Sequence, residues 1–378
     1  MMEPEAFDIV ICGAGIAGAS LAWRLAGRAR VLLLERESQP GYHSTGRSAA
    51  MFMESYGPAQ VRALTRASRA FLTQPPAGFT DVPLLHPRGV LYVASHAQRE
   101  QFEQTWQAMR DAGQQVGRID AHEARARVPC LRSDDLAGAI TEDDAMDLDV
   151  HAFHQGFLRG ARAAGVTLWC DAELQGGTFN GQAWTLHLTD GRSLSAGVVV
   201  NAAGAWADEV AARFGIAPLG LQPRRRSAFT FTAPEGADPS SWPAVIDIDE
   251  GWYFKPDAGR LLGSPANADP THAHDVQPEE LDIALGIHGI EQATTLRIRR
   301  PASTWAGLRT FAPDGEIVIG WEAAAPAFFW LAGQGGYGLQ SAAGASALAA
   351  ALVCAEPVPD ALAQEGVLAE AVSPQRLR

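Results

Sequence analysis

Cysteine is scarce in this chain of 378 residues, which has only four cysteines, at positions 12, 130, 170 and 354. They are scattered and form no CxxC pair, a pattern typical neither of a disulfide framework nor of a zinc site. We therefore expect reduced thiols, with Cys12 in a buried strand. His272 and His274 have no third ligand near them in the sequence, so we expect no metal.

Long apolar runs are absent as well. No segment is apolar over the length that a membrane-spanning helix needs. The first residues include Glu3 and Glu5, whereas a secretory signal begins with basic and then apolar residues. The sequence therefore predicts no membrane span, no signal peptide and a cytoplasmic location.

Positive charge is in deficit, with 30 Lys and Arg against 43 Asp and Glu and a formal net charge of −13. Nucleic-acid phosphates are bound by clustered cationic side chains. The only basic run here is Arg224-Arg225-Arg226, and such a triplet is usually a solvated face. We expect no nucleic-acid partner.

The sequence does contain a β-α-β pattern at its start. Residues 7–12 form a short apolar run typical of a strand buried on both faces, a glycine cluster follows at 13–18, residues 16–25 suit a helix of small residues, and residues 30–35 suit a second strand. In this context Gly-x-Gly-x-x-Gly predicts a dinucleotide site, because Gly13 permits a tight turn, Gly15 admits the pyrophosphate and Gly18 lets the helix pack closely. Glu35 would accept hydrogen bonds from ribose hydroxyls and repel the 2′-phosphate of NADP. A glycine turn without a ligand is the alternative.

Two more strand-turn-helix units lie far downstream. One runs through residues 197–204 into a helix from Trp206, and the other through residues 328–338 into an alanine-rich helix that ends near Cys354. Parallel strands that recur in this way predict one α/β nucleotide-binding sheet assembled from discontinuous segments. The glycines at 333–338 favour a flavin over NAD, because a second helix N-terminus would stabilise the reduced ring. Flexible glycines in a surface turn are the alternative.

The segments between these units have a different sequence pattern. Residues 90–94, 227–232, 252–254 and 294–299 look like strands separated by polar turns, and residues 254–270 look like a hairpin and loop. We interpret them as a second, antiparallel-rich α+β lobe.

Several longer strings carry a family resemblance. The strings are Gly-Tyr-His-Ser-Thr-Gly-Arg-Ser-Ala-Ala (41–50), Asn-Ala-Ala-Gly-Ala-Trp (201–206), Lys-Pro-Asp-Ala-Gly (255–259), Gly-Ser-Pro-Ala-Asn-Ala-Asp-Pro (263–270), Trp-Ala-Gly-Leu-Arg (305–309) and Gln-Gly-Gly-Tyr-Gly (334–338). With these strings the sequence resembles the D-amino-acid oxidase superfamily of FAD enzymes, and within it the bacterial FAD-dependent D-arginine dehydrogenase subgroup.

The resemblance implies a Rossmann-type FAD-binding domain of residues 1–80, 149–220 and 305–378, and a substrate domain of residues 81–148 and 221–304. It implies FAD as the cofactor, and we expect no covalent link because no Cys or His occupies an evident attachment position. The expected cofactor-binding residues are Gly13, Gly15, Ile16, Ala17, Gly18, Glu35, Arg36, Ser44, Thr45, Arg47, Ser48, Ala49, Ala203, Gly204, Trp206, Gly307, Gly335, Gly336, Tyr337 and Gly338.

The resemblance also supplies candidate substrate residues. Arg226 and Arg309 match two carboxylate-binding arginines, and a planar guanidinium binds a carboxylate through two charge-assisted hydrogen bonds. Tyr56 and Tyr253 match substrate-contacting tyrosines, although half-buried core tyrosines are the alternative. Gly336 matches a glycine whose carbonyl faces the substrate amine. The implied reaction is oxidation of a D-amino acid to the imino acid by hydride transfer to flavin N5.

Two departures from the subgroup change the expected pocket. Met51 stands where the subgroup has a histidine, and Pro87-Arg88-Gly89-Val90 lacks the glutamate that would pair with a substrate guanidinium. No strong catalytic base is evident, and we expect an apolar or small substrate side chain rather than a basic one. A secondary amine, a 2-hydroxy acid, or a flavin-binding electron-transfer subunit without turnover remain alternatives. The electron acceptor, a quinone, another redox protein or oxygen, stays open.

Overall fold

The computed structural model describes residues 5–378, so Glu3 lies outside the described residues. The strands are β1 (Glu5–Cys12), β2 (Val31–Leu34), β3 (Met51–Phe52), β4 (Leu85–Pro87), β5 (Val90–Ser95), β6 (Gly117–Ile119), β7 (Leu136–Glu142), β8 (Met146–Leu148), β9 (Thr167–Trp169), β10 (Leu174–Phe179), β11 (Trp184–Leu188), β12 (Ser193–Asn201), β13 (Gln222–Phe231), β14 (Ala244–Asp247), β15 (Tyr253–Asp257), β16 (Arg260–Ser264), β17 (Asp269–Pro270), β18 (Ser303–Phe311), β19 (Val318–Trp321) and β20 (Phe328–Ala332).

The helices are α1 (Ile16–Leu25), α2 (Ala59–Thr73), α3 (Arg99–Asp111), α4 (Ala121–Arg127), α5 (Val150–Ala163), α6 (Ala207–Ala212), α7 (Glu280–Ala293), α8 (Gly338–Val353), α9 (Asp360–Gln364) and α10 (Ala369–Val372). Short 3₁₀ turns lie at His96–Gln98, Gly204–Trp206 and Pro374–Leu377. None of the helices in the described residues is both long and apolar enough to cross a membrane.

The first sheet combines the three predicted strand-turn-helix units. Parallel pairing joins β9, β2, β1, β12 and β20, while β10, β11 and β19 extend the sheet in antiparallel fashion. In register, Cys12 pairs with both Leu34 and Asn201, and Asn201 pairs with Trp330. The carboxyl ends of four strands therefore lie side by side, and the loops that follow them meet at one edge.

Both faces of this sheet are covered, as its continuous apolar strands predict. Ile9 and Ile11 of β1 pack with α1, α2, α5 and α8 on one face. Val10 and Cys12 pack on the other face with α6 and the β10–β11 hairpin. This confirms the predicted nucleotide-binding sheet assembled from discontinuous segments.

The second sheet is almost entirely antiparallel. Its strand order is β17-β13-β16-β15-β14-β5-β7-β6, with β18 paired to β13, and only β14 and β5 run parallel. A small third sheet has the order β3-β8-β4. The predicted mixed α/β fold with an antiparallel-rich lobe is confirmed, and the expected domain boundary at residue 305 falls inside β18.

The predicted strand at 294–299 was wrong. Leu296 and Ile298 are buried in alternation, as in a strand. Their backbone N–H groups, however, bind side chains: that of Leu296 donates to Thr294 Oγ1 and that of Ile298 to Glu291 Oε1. Alternating burial therefore indicated an extended segment without a neighbouring strand.

Candidate active site

The glycine turn after β1 has the geometry that its sequence indicates. Gly13 has φ +102°, and a Cβ there would lie 2.5 Å from the carbonyl oxygen of Ala202. A Cβ on Gly18 would lie 1.9 Å from the carbonyl oxygen of Gly13. A side chain at either position would clash with backbone, so only glycine allows β1, the turn and α1 to pack this closely.

Glu35 follows β2, and its carboxylate stabilises the same turn through hydrogen bonds. Its Oε2 accepts a hydrogen bond from the Ala14 backbone N–H at 2.9 Å, and its Oε1 accepts one from the Glu37 N–H at 3.0 Å. Burial raises the pKa of Glu35, and these two N–H groups lower it in part. The carboxylate lines the cleft described below, where its remaining lone pairs could accept from ribose hydroxyls.

The segment of residues 41–50 crosses from the first sheet to the second. Thr45 Oγ1 accepts from the N–H of Ile16, the first residue of α1, at 3.0 Å. Ser44 donates its hydroxyl to the carbonyl of Leu308 in β18 at 2.6 Å. The segment therefore ties the glycine turn to the strand that carries Arg309.

Arg47 mainly holds this crossing segment in place through hydrogen bonds to other parts of the protein. Its guanidinium donates to the carbonyls of Tyr42 (3.3 Å), Val276 (3.0 Å) and Ala306 (3.1 Å) and to the Asp275 carboxylate (2.5 Å). Arg47 lines the cleft, but its hydrogen bonds are directed at the protein.

A long cleft runs from the glycine turn to Arg309 along the carboxyl edge of the first sheet. Two predicted cofactor residues lie off its wall, since Gly18 packs behind the turn and Tyr337 packs against Tyr56 and Phe311. The predicted cofactor residues that line the cleft are Gly13, Gly15, Ile16, Ala17, Glu35, Arg36, Ser44, Thr45, Arg47, Ser48, Ala49, Ala203, Gly204, Trp206, Gly307, Gly335, Gly336 and Gly338.

At the end of the cleft near Glu35, Arg36 and Trp206 were predicted, but sequence reasoning missed Glu173 and Arg213, which also line it. The Arg36 guanidinium lies 4.3 Å from the centre of the Trp206 ring, and the His43 ring is 4.6 Å from the same ring. Arg213 and Glu173 form an ion pair at 3.0 Å beside them. Arg213 and Glu173 come from separate loops that no motif marks, so only the folded chain brings them here.

A second chamber opens from the far end of this cleft. The cleft and the chamber share walls formed by Arg226, Tyr253, Arg309 and Gly336, among others. The structure brings all six predicted substrate residues into the chamber wall: Met51, Tyr56, Arg226, Tyr253, Arg309 and Gly336.

Strand pairing explains why the side chains of Arg224, Arg225 and Arg226 point to different faces of the sheet. Arg224 pairs with Arg309, and Arg226 with Gly307, across β13 and β18. Because side chains alternate along a strand, Arg226 shares a face with Arg309 while Arg225 points away. Arg225 instead pairs with Asp282 at 2.9 Å.

The two chamber guanidiniums lie near each other without a carboxylate partner in the described part of the chain. Arg309 donates to the Tyr56 hydroxyl at 3.3 Å, and Arg226 donates to the backbone carbonyl of Asn267. Burial, and then the charge of Arg309, lower the pKa of Arg226. An anionic ligand between them would relieve this repulsion.

Four further polar side chains line the chamber that sequence reasoning did not identify: Tyr92, Glu250, Lys255 and Gln340. Lys255 donates to Asp147 at 2.7 Å. Its position two residues after Tyr253 on β15 places both on one face, a signal that the strand period could have supplied.

The cleft fits a flavin dinucleotide. The N-cap residues of α1 and α8 make no side-chain cap, although Thr45 accepts from the Ile16 N–H, and both helices begin at the cleft wall, at Ile16 and Gly338. Helix N-termini offer N–H donors and positive potential to phosphates and to an anionic flavin ring. Two such ends along one cleft, with Glu35 at one of them, match the length and charge of FAD better than those of a single phosphate ligand.

Within the described residues, no group of three or more His, Cys, Asp or Glu side chains could hold a metal ion. The four cysteines are free thiols.

Known proteins share the fold and part of the sequence of this chain. The bovine FAD-dependent oxidoreductase domain-containing protein 1 (Bos taurus) is 26% identical over 396 residues, 90% of this chain and 80% of the relative. Glycine oxidase from Geobacillus kaustophilus superposes with a TM-score of 0.80 at 24% identity, covering 93% of this chain and 96% of that chain. L-proline dehydrogenase from P. horikoshii superposes with a TM-score of 0.82 at 22% identity, covering 99% and 98%.

A model of the FAD dependent oxidoreductase family, DAO, matches residues 8–352. This match covers most of the chain, including the glycine turn, both sheets and the arginine chamber. The chain therefore belongs to the DAO family of FAD-dependent oxidoreductases, and its cofactor is FAD.

Proposed function

We propose that this oxidoreductase oxidises a D-amino acid to the imino acid, which water hydrolyses to the keto acid and ammonia. The observation that carries the proposal is the pair of guanidiniums, Arg226 and Arg309, beside the FAD cleft with no carboxylate partner in residues 5–378. Two cations facing one chamber favour a carboxylate substrate, because an arginine fork holds a carboxylate in a fixed orientation.

The flavin, when bound, supplies a two-electron oxidant that accepts hydride. The protein's own part is to hold and orient the substrate. Arg226 and Arg309 would bind the carboxylate, and the hydroxyls of Tyr56 and Tyr253 would donate to it. The Gly336 carbonyl would accept from the amine and turn the α-hydrogen toward the cleft, and such orientation lowers the barrier without covalent catalysis.

We propose a preference for apolar or small side chains. A basic side chain would enter a chamber that already holds Arg226, Arg309 and Lys255. Of the chamber wall residues, Glu250 alone is acidic, and it is solvent-exposed. A desolvated cation without a close partner binds poorly.

A second candidate keeps the flavin and changes the substrate to a secondary amine or a 2-hydroxy acid. Met51 leaves this class open, because it occupies the wall position at which the subgroup that the sequence resembles has a histidine. The remaining alternative, a flavin-binding subunit without turnover, has no such observation in its favour.

A substrate panel with an artificial electron acceptor, run beside an oxygen electrode, tests the proposal. We expect turnover of D-amino acids with apolar or small side chains, formation of keto acid and ammonia, and much slower turnover of D-arginine. Faster turnover of D-arginine than of D-alanine or D-methionine would reject the side-chain preference. Turnover of 2-hydroxy acids alone would reject the amino-acid proposal.

A further inference from the structure

A buried carboxyl group lies behind one wall of the chamber. Glu142, the last residue of β7, is 4% exposed. Its Oε1 accepts from the Ser55 backbone N–H at 3.2 Å, and its Oε2 accepts from the Ser55 hydroxyl. These partners, in the part of the chain that the structure describes, are neutral groups. Burying a carboxylate without a cation is costly, so the position invites a functional explanation.

Two hydroxyl groups connect this carboxyl group to the chamber. The Ser55 hydroxyl binds Glu142, and the Tyr92 hydroxyl lies 3.3 Å from Ser55 Oγ. Tyr92 is part of the chamber wall, together with Arg309 and Gly336. Each hydroxyl can donate and accept at once, so a proton can pass along the row while the oxygens stay in place.

The proposed reaction needs such a path. An amino acid enters as an ammonium zwitterion, and hydride can leave the α-carbon only after the nitrogen has lost a proton. Met51 cannot take that proton, the guanidiniums of Arg226 and Arg309 are already protonated, and Lys255 donates to Asp147. Glu250 faces the chamber but is exposed, and a solvated carboxylate is a weak base.

We propose that Glu142 is the acceptor of the substrate ammonium proton, reached through Tyr92 and Ser55. The proton leaves nitrogen for the Tyr92 oxygen, the phenolic proton passes to Ser55 Oγ, and the serine proton passes to Oε2 of Glu142. One N–H bond breaks, one O–H bond forms on Glu142, and the nitrogen keeps its electron pair. The proposal rests on amine oxidation as the function of this site.

The surroundings of Glu142 suit this task. Burial raises the pKa of Glu142, the hydrogen bonds from Ser55 lower it in part, and the charge of Glu54 raises it again. Glu54 is itself paired with Arg69 at 2.6 Å. A raised pKa makes the ionised form of Glu142 a stronger base than an ordinary carboxylate.

The charged and titratable groups that face Tyr92 are Glu142, Tyr56 and Glu250. Burial, and then the charge of Glu142, raise the pKa of Tyr92, so the phenol stays protonated. Tyr92 therefore passes a proton on to Ser55 without remaining ionised itself. Activity should therefore rise with pH as Glu142 ionises.

The test is the rate of anaerobic flavin reduction by a saturating amine substrate, measured across pH with the FAD-loaded enzyme. We expect Glu142→Gln and Tyr92→Phe each to slow reduction about 100-fold near neutral pH. In both variants the rate of flavin reduction should begin to rise only at a higher pH, because there the amine loses its proton to solvent. Binding of a carboxylic acid without an amine, followed by the flavin spectrum, should be unchanged, because the arginines are untouched.

Glu322→Gln is the matched control, because Glu322 is as buried as Glu142 (4% exposed) but lies outside both cavity walls, and it should keep the wild-type profile. A wild-type rate and profile in Glu142→Gln would overturn the proposal, and so would loss of the pH-dependent rise in rate in Glu250→Gln, which removes the other carboxylate of the chamber wall. If Glu142→Gln does not fold, Tyr92→Phe and Ser55→Ala decide, and wild-type profiles in both would overturn it. Failure of the proposed function is distinct, because then no amine reduces the flavin of the wild-type enzyme.

Discussion

At the scale of single residues, Arg309 is the group on which the proposed function depends most. It lies two residues before the end of β18, beside Gly336, whose Cβ, if present, would lie 2.8 Å from Arg309 Nη1. The Arg309 side chain therefore packs closely against position 336, where only glycine leaves room for it.

Arg309→Met should raise KM for a carboxylate substrate about 10- to 100-fold, the usual effect of losing a charge-assisted hydrogen bond. FAD should stay bound, because the cleft is otherwise intact. Steady-state kinetics with the flavin absorbance as a loading check measure both. Arg224→Met is the control, since Arg224 pairs with Arg309 across the strands and lies outside both cavity walls. Equal KM values in the two variants would remove Arg309 from the substrate site.

The reactive side chains along the cleft predict a non-covalent flavin. Cys12 and His43 both line the cleft. Burial raises the pKa of Cys12 to about 12, which keeps it a thiol and a poor nucleophile. His43 binds Glu37 at 2.8 Å and packs against the Trp206 ring at a tilt of 49°, at the end of the cleft away from the chamber.

Acid precipitation should therefore release the flavin into the supernatant, where its absorbance can be measured. Colour retained in the washed pellet would show a covalent bond and contradict this expectation. Cys12→Ala and His43→Asn would then identify the attachment residue.

At the scale of elements, the turn between β1 and α1 has the tightest packing of the cofactor cleft. Gly13→Ala should abolish or greatly weaken FAD binding, because its Cβ would overlap the carbonyl of Ala202. Gly27→Ala is the matched control, since Gly27 also has a positive φ, +74°, but nothing lies within 4 Å of its Cβ. Titration of the apoproteins with FAD compares the two. Equal affinity would show that the turn does not approach the cofactor.

The elements also show what sequence patterns can and cannot predict. The start of α1 at Ile16 and the limits of β20 followed from local rules, namely glycine turns and apolar runs. The segment at 294–299 did not, because its burial alternates like that of a strand while its N–H groups bind Glu291 and Thr294. Periodicity reports which side chains are buried and does not report hydrogen-bond partners.

The same limit applies to the site. Met51 and Arg309 were candidates from the resemblance, because the strings at 41–50 and 305–309 adjoin or contain them, whereas Arg226 lies in no such string. Tyr92 and Glu142 could not be placed from the sequence, since β5 and β7 pair with each other and meet Ser55 only through tertiary contact. Residues that act through partners remote in sequence need the fold.

At the scale of the whole molecule, the two large sheets contribute different residues to the candidate site. The parallel edge of the first sheet supplies the glycine turns and Glu35, and β13 and β18 of the second sheet supply the arginines. The crossing segment of residues 41–50 joins them through Thr45 and Ser44. The long cleft and the second chamber therefore meet where the two sheets meet.

The central claim, oxidation of a D-amino acid by the bound flavin, is tested most directly by anaerobic bleaching. The purified FAD-loaded protein is mixed without oxygen with a D-amino acid, its L-enantiomer or the matching 2-hydroxy acid, and the flavin absorbance is followed. We expect bleaching by D-amino acids with apolar or small side chains and none by L-enantiomers or hydroxy acids. Bleaching by hydroxy acids but not by amino acids, or by none of the three, would contradict the account.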